Sequence, residues 1–296
     1  ADGAEVGTAT VLPDGSYSVT PTTPLAEGTP ALTVTFTDPS GNESVASAAL
    51  PVTIDATAPA TPATPTLEPA SDTGTVGDGI TSDTTPTLTG TDGTSGDTVT
   101  LYADGTEVGT ATVLPDGSYS VTPTTPLAEG TPNLTVTFTD PSGNESVASP
   151  ALPLTIDAAA PATPAAPTLD PASDTGAVGD DITSDTTPTL IGTDGTAGDT
   201  VKLYADGAEV GTATVLPDGS YSVTPTTPLA EGTPNFTVTF TDPSGNESVP
   251  SPALPVTIDA TAPTIPAAPV LDPASDTGTL GDGITSDTTP TLTGTD

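Results

Sequence analysis

The stretch ASDTGTVGDGITSDTTPTLTGTD, residues 70–92, sets Asp72, Asp78, Asp83 and Asp92 among glycines and threonines with no basic residue nearby. Closely related runs return at residues 172 and 274. Carboxylates at this density, beside threonine hydroxyls and backbone carbonyls, offer hard oxygen ligands for a divalent cation. Ca2+ suits such a set, because it accepts about six to eight oxygens at flexible geometry, whereas Mg2+ fits an all-protein cage less well. The spacings match neither an EF-hand loop nor the glycine-rich nonapeptide of β-helices, so they define no standard site. The competing reading is that these acids form turns and supply solubilising charge.

Other chemistry is largely excluded by residue type. The chain has 39 Asp and Glu against one basic residue, Lys202, and no His or Cys, for a formal net charge of -38. The usual general base, thiol nucleophiles, arginine clamps and His or Cys metal sites are therefore missing. Paired carboxylates remain possible, so a carboxylate-based hydrolase is the one enzyme class left open by composition. Nucleic acid and anionic membranes are excluded as partners, since both need Lys and Arg. No apolar run is long enough to span a membrane as a helix.

The elements that position the acids repeat. VLPDGSYSVTPTTPLAEGTP begins at Val11, Val113 and Val215, an offset of 102 residues each time. Residues 57–158 and 159–260 differ at 12 of 102 positions. A period of this length is one small domain rather than a solenoid unit. The domain organisation expected is a partial repeat over 1–57, complete repeats over 58–159 and 160–261, and a partial repeat over 262–296. A chain that opens and stops inside a repeat, with no initiator Met, is expected to be a piece of a longer array.

Each repeat reads as all-β. Proline is scattered throughout and Thr and Val dominate, which disfavours helix. LTVTFTD (134–140) alternates with period two, so Leu134, Val136 and Phe138 share one face. DTVTLYADG (97–105) alternates likewise, and its Asp-Gly marks a tight hairpin turn. LPDG (114–117) and DPSGN (140–144) are further turns, and ALPLTID (151–157) closes the repeat. Thr100 becoming Lys202 in the next copy marks an outward position. About seven short strands separated by turns give an immunoglobulin-like β-sandwich in a linear array. Tyr119 and Tyr221 read as core residues rather than a sugar platform. Glu107, Glu129 and Glu145 read as solvated surface. Pro59, Pro62 and Pro65 in the linker favour stiff, extended polyproline conformation.

This arrangement yields an expectation for the acids. With termini at opposite poles, Asp38 and Asp55 at the end of one repeat face Asp72 and Asp83 of the next across the proline-rich joint. The equivalent sets are Asp140, Asp157, Asp174 and Asp185, then Asp242, Asp259, Asp276 and Asp287; Asp78, Asp180 and Asp282 lie in the same loops. A Ca2+ ion at each seam would bridge neighbouring repeats and offset the self-repulsion of the chain.

The ordered series SDTG…GDGITSDTTPTLTGT, TVTLYADGTEVGTATV, DGSYSVTPTTPLAEGTP, LTVTFTDPSGNES and ALPLTID resembles the bacterial Ig-like tandem repeats of giant surface adhesins, of biofilm-associated and RTX type. The resemblance covers essentially the whole chain. It implies non-enzymatic, calcium-stiffened extender domains that project an adhesive tip from the outer membrane after type I secretion, with aspartates at domain junctions as ligands. The matching positions are Asp55, Asp72, Asp83 and Asp140 with their equivalents. The chain departs from many relatives at Tyr17, Tyr119 and Tyr221, where they have Trp, and at Pro30, Pro132 and Pro234, where they have His. The expected role is an extracellular spacer for cell adhesion or biofilm formation, whose partners are its own neighbouring repeats, with no small-molecule substrate. At about 3.3 Å per strand residue plus loops, each repeat would span about 40 Å. A self-assembling surface-layer or filament protein, with lateral contacts between copies, is the main alternative; a carbohydrate-binding array is a weaker one, given the scarcity of aromatics.

Overall fold

The computed structural model describes residues 1–295. Among them every regular element is a strand. The chain forms two compact units, one of Ala1–Pro161 with Thr241–Ser248, the other of Ala162–Phe240 with the chain from Val249 onward.

In the first unit, the initial partial repeat contributes β1 (Ala31–Leu32) and β2 (Leu50–Pro51), which pair antiparallel. The complete repeat that follows holds β3 (Thr66–Leu67), β4 (Ile80–Thr81), β5 (Leu88–Gly90), β6 (Thr98–Ala103), β7 (Thr106–Thr112), β8 (Tyr119–Val121), β9 (Leu134–Thr139) and β10 (Thr155–Ile156). One sheet runs β3-β5-β8 and the other β7-β6-β9, while β10 pairs with β4. The hairpin between β6 and β7 turns on Asp104 and Gly105 at φ of 50° and 77°. Positive φ at both central residues is what a twisted two-residue hairpin demands, and Asp-Gly meets it.

The period-two pattern places the core. Val99, Leu101, Leu134, Val136 and Phe138 meet Leu88, Tyr119, Val121, Leu154 and Ile156 between the sheets. Tyr119 packs edge-to-face on Phe138 with ring centroids 5.5 Å apart. Its ring lies over Gly90, where an added Cβ would come within 2.4 Å of the ring, so only glycine fits beneath it. In the initial partial repeat Tyr17 and Phe36 make the same ring contact. There the two rings remain 45% and 51% exposed.

The second complete repeat builds the same sandwich from β11 (Thr168–Leu169), β12 (Ile182–Thr183), β13 (Leu190–Gly192), β14 (Thr200–Ala205), β15 (Ala208–Thr214), β16 (Tyr221–Val223), β17 (Asn235–Thr241), β18 (Leu254–Pro255) and β19 (Thr257–Ile258). Its sheets run β11-β13-β16 and β15-β14-β17-β18, with β12 paired to β19. Lys202 is half-buried on β14, on the face opposite the buried Val201 and Leu203, and its counterpart Thr100 is only 7% exposed, so the position is less open than the outward reading expects. Two short strands, β20 (Val270–Leu271) and β21 (Leu292–Thr293), pair in the last partial repeat.

One pairing was not anticipated. β4 and β10 run parallel, with Ile80 beside Thr155 and Thr81 beside Ile156, and β12 with β19 repeats this in the second unit. The opening loop of a repeat and the aspartate that closes it are thereby drawn to the same end of the sandwich.

Candidate functional site

The parallel pairing fixes which acids meet. The Asp157 amide donates to the Thr81 carbonyl at 2.9 Å. Buried Thr81 donates its hydroxyl to the Ser71 carbonyl at 2.5 Å. The Asp83 amide in turn donates to Thr81 Oγ1 at 3.0 Å. The backbones of Asp83 and Asp157 of one repeat therefore meet at Thr81, which also binds Ser71, the neighbour of Asp72 in sequence. The expected grouping, Asp38 and Asp55 of one repeat with Asp72 and Asp83 of the next, does not form this way. Instead the DPSGN turn of a repeat meets the closing aspartate of the repeat before it. The Ser142 hydroxyl donates to Asp55 Oδ2 at 2.9 Å and Asn144 Nδ2 donates to the Asp55 carbonyl at 3.2 Å. At the next joint, still within the first unit, Ser244 donates to Asp157 Oδ2 at 2.9 Å and Asn246 Nδ2 to the Asp157 carbonyl at 2.8 Å. The opening loop joins in there, with Thr73 Oγ1 donating to the Ser244 carbonyl at 2.8 Å.

Most of the predicted acids hold turns. Asp38 and Asp140 each accept from two backbone amides and an asparagine side chain within their own turns. Asp242 accepts from the amide and side chain of Asn246. These bonds favour the charged form, and the Asn side chain is the leading cause that keeps Asp38 and Asp140 below the usual carboxylate range. Asp78, Asp180 and Asp282 accept the amides of Ile80, Ile182 and Ile284. Asp83, Asp185 and Asp287 accept both amide and hydroxyl of Thr85, Thr187 and Thr289. Asp259 accepts the Thr261 amide. Such side-chain-to-backbone bonds two residues on are the ordinary turn chemistry of aspartate.

Asp72, Asp174 and Asp276 differ. In each, Oδ2 accepts an amide five residues on, from Gly77, Gly179 and Gly281. In each, Oδ1 is shielded from solvent and has no hydrogen-bond partner. Asp174 as a whole is only 8% exposed. Leaving a polar oxygen buried and unpaired is costly. These three oxygens therefore fit a cation, and Ca2+ would suit them together with the carbonyls and hydroxyls of the same loop. Among the described residues no three acids converge in a way that could hold a metal ion. An ion here would accordingly draw on one or two carboxylates and otherwise on neutral oxygens.

Sequence reasoning passed over Asp97, which is only 3% exposed and directly precedes β6. Burial raises its carboxyl above the ordinary range, and the charge of Asp140 raises it further. The only local signal is an acid placed directly before an alternating apolar strand. Glu145, expected to be solvated, accepts hydrogen bonds from Tyr102 and Thr137 at 3.0 and 2.9 Å. Tyr119 and Tyr221 are core residues, 2% exposed, with no partner for either hydroxyl. Burial first, and the charges of Asp92 and Asp194 second, push both phenols up to about 12.

Repeated sandwiches whose turns grip the end of the preceding repeat define a tandem array of Ig-like domains. The chain belongs to the bacterial Ig-like domain family, whose model matches residues 1–56, 58–158 and 160–260. No curated protein matches it. Among solved structures it is similar to a Ca2+-stabilized adhesin that helps an Antarctic bacterium reach out and bind ice, at 25% identity over 91% of this chain and 68% of that one, with a TM-score of 0.41. It is also similar to the BSP domain of a biofilm-associated protein, at 27% identity over 68% of this chain and 30% of that one, TM-score 0.24. A 1.5-MDa bacterial ice-binding adhesin matches at 23% identity over 77% of this chain and 74% of that one, TM-score 0.33. At these TM-scores the likenesses carry no argument by themselves. No helix among the described residues is long and apolar enough to cross a membrane.

Proposed function

We infer that the chain is a stretch of structural extender, or stalk, from a large secreted bacterial surface adhesin. Its repeats, 1–57, 58–159, 160–261 and 262–296 (the last residue, Asp296, lying outside those described), act in series as a non-catalytic spacer. The spacer carries a distal adhesive domain away from the cell for adhesion or biofilm formation. Ca2+ at the joints stiffens it, with Asp72, Asp174 and Asp276 as the leading ligands. The observation that carries the reading is the recurrence of one joint: Ser and Asn of the DPSGN turn holding the aspartate that closes the previous repeat, at Asp55 and again at Asp157. Stability in such an array is a sum of unit terms and nearest-neighbour terms, so a repeated joint sets the stiffness of the whole. Extracellular calcium, at about millimolar levels, suits weak exposed sites. The same repulsive charge that calcium offsets outside would keep the chain loose for export inside the cell.

Small-angle scattering and thermal melting, each with calcium and with EDTA, test this. The ion is expected to raise both the maximum dimension and the melting temperature. If neither moves, calcium is not what stiffens the array.

A further inference from the structure

Gly74 stands where no other residue fits. Its φ is +70°, and a Cβ there would lie 2.0 Å from the Pro243 carbonyl oxygen and 2.6 Å from the Ser244 carbonyl carbon. Gly176 and Gly278 occupy the same place in their repeats, with φ of +88° and +87°, yet nothing lies within 4 Å of a Cβ at either. Left-handed backbone alone explains a glycine at 176 and 278. At 74 a second requirement is added, the approach of another backbone.

That approach is hydrogen-bonded on both sides. The Thr75 amide donates to the Pro243 carbonyl at 2.9 Å, and Thr73 Oγ1 donates to the Ser244 carbonyl at 2.8 Å. On its other side the turn is held by Asp157 through Ser244 and Asn246. Gly245, at the tip, has the Gly74 nitrogen 3.1 Å from its own would-be Cβ. All of these residues belong to the first unit. The groups that meet at Thr73 to Thr75 are neutral, so the contact needs no cation to form.

We propose that the Ser-Asp-Thr-Gly loop of every repeat is a docking surface for the Asp-Pro-Ser-Gly-Asn turn of the repeat that follows, with its glycine setting the closeness of fit. The loops around Gly176 and Gly278 carry the same equipment. Thr175 and Thr277 hold Ser184 and Ser286 as Thr73 holds Ser82, which presents the hydroxyl for an incoming carbonyl. The occupant that those two loops fit is thus the same Asp-Pro-Ser-Gly-Asn turn. The inference builds on the spacer reading but not on calcium, and its test separates the two.

Hydrogen exchange and amide chemical shifts are followed by NMR on the whole chain in EDTA. In the wild type the Thr75 amide is expected to be protected without calcium. Gly74→Ala should speed its exchange on the order of tenfold or more and shift the Gly245 and Asn246 resonances. Gly176→Ala imposes similar backbone strain with no neighbour, and should leave all of these unchanged. Gly245→Ala attacks the same contact from the turn and should reproduce the loss. Gly143→Ala, at φ +91° with nothing within 4 Å, is its control. Should Gly74→Ala unfold its repeat, the Gly245 and Gly143 pair decides alone. Unmoved 243–246 resonances in Gly74→Ala, with Thr75 exchange unchanged in Gly245→Ala, would overturn the docking role. Protection of Thr75 that appears only when calcium is added would assign the joint to the ion, overturning this inference while leaving the calcium reading intact.

Discussion

Ser244 and Asp157 lie 87 residues apart in sequence, and the serine hydroxyl donates to the aspartate Oδ2 at 2.9 Å. Ser142 and Asp55 make the same bond at the same separation and length. Each joint is thus held by a charge-assisted bond that the chain makes twice. Ser244→Ala removes one donor and returns that oxygen to solvent. The expected cost is on the order of 1 kcal/mol, read as faster exchange at Asn246 with the exchange of core amides such as Val99 unaltered.

The joints also differ by one hydroxyl. Thr57 donates to Glu27 Oε1 at 2.5 Å and Thr261 to Glu231 Oε1 at 2.6 Å, tying the start of each linker to its own repeat. The residue between them in the series is Ala159, which has no hydroxyl for Glu129. Ala159→Thr should restore the tie and stabilise that repeat by roughly 0.5–1 kcal/mol. Melting of the single variant against wild type measures it; a gain that persists in Ala159→Val would show that the hydroxyl is not the cause.

The buried phenols predict an unusual gain. Tyr221 hides a hydroxyl with no partner above Gly192. Tyr221→Phe keeps the ring contact with Phe240, centroids 5.5 Å apart, and removes the unsatisfied group. Stability should rise by about 1 kcal/mol or hold steady. A fall in melting temperature of several degrees would mean the hydroxyl is satisfied in solution.

Asp97 and Asp140 pull the pH dependence in opposite directions. The folded state raises the Asp97 carboxyl, so its contribution to stability is complete below the ordinary value of 3.8 and is lost as pH rises through the raised one. Asp140 is lowered, so its contribution is present above 3.8 and is lost as pH falls through the depressed value. Asp97→Asn should therefore raise the melting temperature near neutral pH and leave it unchanged near pH 3. Asp140→Asn should lower it near neutral pH and flatten the acid limb. Melting curves across that range distinguish the two signs.

The three unpaired aspartate oxygens should report calcium directly. Anything that binds only the folded state stabilises it, by about 2.7 kcal/mol at a hundredfold excess over Kd. Asp72→Asn, Asp174→Asn and Asp276→Asn combined should abolish most of the calcium-induced rise in melting temperature. Asp78→Asn, at an acid occupied by its own turn, should leave it nearly intact. Equal effects from both would remove the buried oxygens from the account.

Much of the fold was legible locally. Alternation in LTVTFT placed Leu134, Val136 and Phe138 in the core, and Asp104-Gly105 and DPSGN formed the turns their residue types require. The parallel contact of Ile80–Thr81 with Thr155–Ile156 was not legible. Two-residue ladders carry no periodicity, and nothing in either segment names its partner about 75 residues away. That omission misplaced the acids, since the pairing decides which aspartates share an end of the sandwich. Glu145 is exposed, as its reading as surface requires, but its hydrogen bonds from Tyr102 and Thr137 of two strands were not legible for a related reason.

By itself, the order of residues along the chain determined the repeat, the strands, the turns and the acidity, because each depends on neighbours within a few positions. Only the tertiary structure decided that Asp157 meets Ser244, that Gly74 lies against Pro243, and that one oxygen each of Asp72, Asp174 and Asp276 is left unpaired. Those are outcomes of burial and of backbones brought together from distant segments, and both are set by how the sheets close rather than by any local pattern.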